Sequence, residues 1–90
     1  MPKGVEVVMN IYVVSEKLDE VAEELVKLNE VIDLYEVTGD SDIIALIRTD
    51  DIAAFRNLLK NSLMKTPGIK STISSVILHT RKKDSELIDE

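Results

Sequence analysis

Cysteine and tryptophan are both absent from this chain of 90 residues. Without cysteine there is no disulfide, no thiolate nucleophile and no sulfur-ligated metal. Aromatic side chains make up only 3% of the sequence, so the core has to be built from Val, Ile, Leu and Ala. A surplus of basic charge is also missing. The formal net charge is -6 and the pI is near 4.7. Nucleic-acid binding calls for a dense Lys/Arg face. The one basic cluster, Arg81, Lys82 and Lys83, is followed at once by Asp84 and Glu86. Direct DNA binding is not expected. No apolar run approaches the length that crosses a bilayer, and Met1 to Glu6 holds no secretory leader. The expected location is cytoplasmic, with no membrane partner.

Motifs that carry chemistry are equally scarce. There is no Walker loop, no GxGxxG and no nucleophile–base–acid set. The single histidine, His79, has no second histidine or cysteine to share a metal with, and reads as a partly exposed residue late in a strand. Asp50 and Asp51 read as helix-capping residues. Glu23 and Glu24 belong to a solvated helix face, and Met9 and Met64 to the core or its gaps. No catalytic residue, metal or cofactor is expected.

What the chain does hold is a regular alternation of elements. Val5 to Val14 is β-branched and apolar and reads as a first strand. Ser15 is placed to cap a helix, in which Leu18, Val21, Ala22, Leu25, Val26 and Leu28 recur at spacings of three and four. Val31 to Thr38 and Asp42 to Thr49 read as two strands joined through Gly39, Asp40 and Ser41, hence an antiparallel hairpin. Ile52, Phe55, Leu58, Leu59 and Leu63 mark a second helix, which Thr66-Pro67-Gly68 stops. Ile69 to Thr80 reads as the last strand. Residues 81–90 form a charged tail expected to fray. The order is β-α-β-β-α-β, one α+β domain over 1–80 with the ferredoxin-like plait. It has a four-stranded antiparallel sheet with two helices on one face.

Two helices cover only one side of such a sheet. An antiparallel sheet with one wet face alternates apolar and polar residues. Here Ile43, Ala45 and Ile47 point one way and Ile44 and Leu46 the other, and both sets are apolar. The first strand repeats this, with Val7, Met9, Ile11 and Val13 on one side and Val8, Tyr12 and Val14 on the other. Asn10 is the polar interruption. A second copy packed sheet to sheet is the simplest cover, so a homo-oligomer is expected.

Two stretches carry a family resemblance. Tyr35-Glu36-Val37-Thr38-Gly39-Asp40-Ser41-Asp42-Ile43-Ile44-Ala45-Leu46 resembles the central signature of the effector (RAM) domain of the Lrp/AsnC regulators. Pro67-Gly68-Ile69-Lys70-Ser71-Thr72, followed by Ile77-Leu78, resembles that domain's last strand. The likeness runs over about residues 5 to 80. It departs at Ser41, where relatives often carry a larger or aromatic residue, which bears on ligand preference. The first strand begins almost at Met1 with no helix-turn-helix before it, so the chain resembles the stand-alone members.

The resemblance implies dimers formed through the sheets and rings of dimers, such as octamers. It also implies an amino-acid effector held between dimers beside the hairpin loop, and transcription modulated through full-length Lrp/AsnC partners. An amino acid presents an ammonium and a carboxylate together. Asp40 and Asp42 offer acceptors for the first. Thr38, Ser41 and the backbone at Gly39 offer donors for the second. Tyr35 is a candidate apolar wall, and Thr72 and Ser74 on the last strand offer further hydroxyls. Any tight loop uses Gly, Asp and Ser, so turn chemistry alone explains much of this segment. Two other functions share the plait. One is a dimeric α/β-barrel enzyme of the monooxygenase type, which the scarcity of aromatics and histidine argues against. The other is an ACT-like amino-acid-sensing module, whose site lies in a glycine-rich loop after the first strand. Here that loop is Val14-Ser15-Glu16-Lys17, without glycine.

Overall fold

The computed structural model describes residues 4–88. Residues 1–3, within the stretch where no leader is expected, and the last two residues of the tail lie outside the described residues. Strand β1 spans Val5–Val13, β2 Val31–Glu36, β3 Ile43–Thr49 and β4 Ile69–Val76. They form one antiparallel sheet in the order β2-β3-β1-β4. Helix α1 covers Leu18–Val26, and α2 covers Ile52–Leu58 and runs on as a π turn over Leu59–Leu63. The plait expected from the element order is the plait observed.

The helix starts differ in their chemistry. The Asp51 carboxylate accepts the Ala54 N–H at 2.8 Å, a side-chain cap of the expected kind. Ser15 does not cap α1. A 3-10 turn over Ser15–Lys17 leads into the helix instead, with the Lys17 N–H on the Val14 carbonyl at 2.8 Å. Val14 is held in turn by its own N–H on the Gly68 carbonyl at 2.8 Å, so the entry to α1 is tied to the start of β4.

Strand alternation then sorts the side chains. Val7, Met9, Ile11 and Val13 of β1 and Ile43, Ala45 and Ile47 of β3 are buried against the helices. Val21 and Leu25 of α1, Phe55 and Leu58 of α2, and Leu63 of the π turn complete this core. Met64 was expected in a gap of the core but is exposed, because the π turn ends at Leu63 and turns it outward.

The other sheet face has no described element of the chain over it. Register places Val8 beside Leu46 and Ser75, and Asn10 between Ile44 and Ile73. Tyr12, Ile44 and Leu46 are half-buried by their neighbours alone, and Ile73 is 53% exposed. An ion pair from Arg48 to Glu6, at 2.6 and 2.9 Å, closes one end of this face.

The strand expected to reach Thr80 ends at Val76. His79 therefore lies beyond the strand, on an exposed connection. The segment expected to fray instead forms a hairpin, with β5 over Lys82–Lys83 and β6 over Glu86–Leu87, in a sheet of its own. Asp84 and Ser85 at its tip both take positive φ, 50° and 69°, as tight two-residue hairpin turns demand.

Candidate functional site

The β2–β3 connection is built around Asp42. The ladder between β1 and β3 ends at the pair Ile11 and Ile43, which leaves the Val13 N–H without a strand partner. The Asp42 carboxylate takes its place, accepting that N–H at 2.8 Å. The Asp42 backbone N–H donates to the Ile11 carbonyl at 3.0 Å, and its own carbonyl accepts the Val37 N–H at 3.0 Å. One residue therefore fastens both ends of the loop to β1. The carboxylate expected to meet a ligand ammonium is already engaged on the protein backbone, and Asp42 shapes the loop from within. Sequence reasoning missed the Val13 N–H, since no local signal links residues 29 positions apart.

This clamp sets a prediction. Asp42→Ala leaves the part-buried Val13 N–H unpaired and should lower stability by about 1–3 kcal/mol in urea unfolding. Asp42→Asn keeps an acceptor oxygen and should lose less than about 1 kcal/mol. Equal losses for the two would mean that the hydrogen bond contributes nothing.

Between its fastened ends the loop is open. Thr38, Gly39 and Asp40 are exposed. Gly39 sits at φ +116°, and a Cβ there would meet nothing within 4 Å, so the backbone angle alone calls for glycine. Among the described residues, no backbone hydrogen bond uses the N–H of Thr38, Gly39, Asp40 or Ser41. The loop therefore presents free donors beside the exposed Asp40 carboxylate. Ser41, between these residues and Asp42, is only 8% exposed.

The remaining candidates are spread out. Tyr35 pairs with Ile44, on the sheet face away from the helices, and is 56% exposed. Thr72 and Ser74 pair with Ile11 and Met9, on the helix side. Ile11 joins two of the groups: its carbonyl takes the Asp42 N–H on one side, and Thr72 lies across from it on the other. Two strand spacings put the loop and Thr72 about 10 Å apart at one end of the sheet. Ser74 is a further two residues along. One protomer thus assembles Thr38, Gly39, Asp40 and Asp42 with Thr72 nearby, and leaves Tyr35 on the opposite face. Among the described residues no three His, Asp or Glu side chains are grouped to hold a metal. No helix of the described residues is long and apolar enough to cross a membrane.

Comparison with known proteins bears on this geometry. A family model described as the Lrp/AsnC ligand binding domain matches residues 6–87, which runs through the terminal hairpin. The HTH-type transcriptional regulator FL11 of Pyrococcus horikoshii is 37% identical over 79% of this chain and 46% of its own length. The leucine-responsive regulatory protein of Escherichia coli is 32% identical over 69% of this chain and 38% of its own. The chain thus spans about half the length, or less, of the curated relatives it matches. These relatives are transcription regulators, not enzymes. In fold, the chain is similar to a transcriptional regulator of Neisseria meningitidis solved with L-Met. The TM-score is 0.86 at 20% identity, over 96% of this chain and 57% of that one.

Proposed function

Because the chain belongs to the Lrp/AsnC ligand-binding domain family, we propose that it is a cytoplasmic, amino-acid-binding and oligomeric regulatory domain that modulates transcription through full-length Lrp/AsnC partners. The observation that carries this reading is the clamped loop. Asp42 holds it to β1, and it then offers unengaged N–H groups beside the Asp40 carboxylate. Donors for a carboxylate and an acceptor for an ammonium are what a free amino acid needs. The field is of the right sign for the ammonium. From Glu30 to Asp42 the chain carries Glu30, Asp33, Glu36, Asp40 and Asp42 and no Lys or Arg. Two similar proteins point to the same ligand class, one being a leucine-responsive regulatory protein and the other a regulator solved with L-Met.

The domain works as a dimer stacked through the uncovered sheet face, with dimers joined into a ring such as an octamer. The loop of one dimer then comes within reach of a neighbouring dimer, which completes the site around it, while Tyr35 lies on the stacked face.

Isothermal titration against a panel of L-amino acids tests the ligand. At least one should bind, and Asp40→Ala should weaken it about tenfold, the worth of one charge-assisted hydrogen bond. No heat from any amino acid at millimolar concentration would sink the assignment.

A further inference from the structure

The terminal hairpin is the least explained part of the molecule. Residues 81–87 are all exposed, and Leu78 and Leu87 are 94% and 83% exposed. A two-stranded hairpin is marginal in water by itself. This one forms a separate sheet held by the pairs Lys82 with Leu87 and Lys83 with Glu86. It has the form of an arm, apolar at Leu78 and Leu87 and basic at Arg81, Lys82 and Lys83, with both leucines left to solvent in the protomer.

A surface of the opposite character lies at the far edge of the same sheet. Strand β2 is an edge strand. It exposes two large apolar side chains, Ile32 at 42% and Tyr35 at 56%. Between and beside them lie Asp33 and Glu36, with no basic residue in the strand. Within one protomer the arm leaves β4, and β4 and β2 are at opposite edges of the sheet. The two surfaces meet if two sheets stack face to face about a two-fold axis parallel to the strands. That operation reverses strand order, so β4 of one copy lies over β2 of the other. The arm sits at the rim of that stacked face, since the Ile77 N–H still bonds the Glu6 carbonyl of β1 at 2.8 Å. The reach is sufficient. Ile77 to Arg81 extended spans about 17 Å, while stacked sheets lie about 10 Å apart.

We infer that the terminal arm, residues 77–88, is an interaction element that docks on the β2 edge of a second copy of this chain. Leu78 and Leu87 cover Ile32 and Tyr35, and the basic cluster faces Asp33 on the same side of that edge. The inference rests on the sheet-to-sheet dimer proposed above, and it commits that dimer to one two-fold axis and an exchanged pair of arms.

The absence of cysteine makes the test direct. Leu87→Cys and Ile32→Cys variants, one of them isotope-labelled, are mixed and mildly oxidised. A covalent heterodimer should form by mass, and it should exceed the yield from Leu87→Cys mixed with Val26→Cys, whose site lies on α1. In sedimentation equilibrium, Leu78→Ser/Leu87→Ser should raise the dimer dissociation constant tenfold or more. Far-UV circular dichroism should be unchanged, since both leucines are exposed in the protomer. Heterodimer yields no greater than the α1 control, or an unchanged dissociation constant, would overturn the inference. If Ile73→Asp then still breaks the dimer, the sheet-to-sheet reading stands and only the arm falls. A parent chain that is monomeric at micromolar concentration would remove both.

Discussion

Ile73→Asp is expected to convert the proposed sheet-to-sheet dimer into monomers. Ile73 lies on β4, on the sheet face away from the helices, paired with Asn10 of β1. It is 53% exposed in the protomer, so the substitution removes nothing from the core. In a face-to-face dimer the same residue is covered. A two-fold axis then places two carboxylates in the interface. Each uncompensated buried charge costs about 3 kcal/mol or more. Two of them weaken association by roughly four orders of magnitude. Sedimentation equilibrium should find a monomer that keeps the parent's circular dichroism. A dimer of unchanged affinity would show that this apolar face is not the interface, and the functional reading would lose its sheet-to-sheet dimer.

Gly68→Ala is expected to destabilise the protomer itself. Gly68 sits at φ +102°, and a Cβ there would lie 2.6 Å from the Lys17 Cβ and 2.9 Å from the Val21 Cγ2. Neither atom can yield easily. The first is the root of its side chain, and the second belongs to a residue with no exposure. The Gly68 carbonyl is also the acceptor that holds Val14 at the entry to α1. Overpacking and left-handed strain each cost about 1–3 kcal/mol. A combined loss of about 3 kcal/mol lowers the Tm of a domain this size by roughly 12–24 °C. Gly39→Ala is the internal comparison, because that Cβ meets nothing and only the φ strain remains. Thermal unfolding should therefore rank the two clearly. A shift for Gly68→Ala no larger than for Gly39→Ala would mean that the contact with α1 relaxes freely.

The uneven legibility of the molecule follows from the range of the forces involved. Short-range pattern carried the plait. The spacing of Leu18, Val21, Ala22 and Leu25 dictated a helix. The Gly39-Asp40-Ser41 turn dictated a hairpin. The apolar residues on both sides of β1 and β3 marked a sheet with a face still to be covered. The candidate loop was legible for the same reason, as glycine and carboxylates in sequence announce a turn with exposed polar groups. The terminal hairpin was less so. Asp84 and Ser85 are turn residues, but charge dominates the flanking segments and hides the pairing of Lys82 with Leu87.

By itself, then, the sequence determined the order of elements, the composition of the core, the acidic character of the β2–β3 loop and the doubly apolar sheet. Each depends on residues a few positions apart, where periodicity and turn chemistry act. Only the tertiary structure decided what Asp42 does, because its partner Val13 is brought beside it by strand pairing across 29 positions. It likewise decided that Ser41 is buried, that Gly68 must remain glycine against α1, and that Tyr35 and Thr72 face opposite sides of the sheet. These depend on register and close packing, which bring together atoms that no local pattern connects.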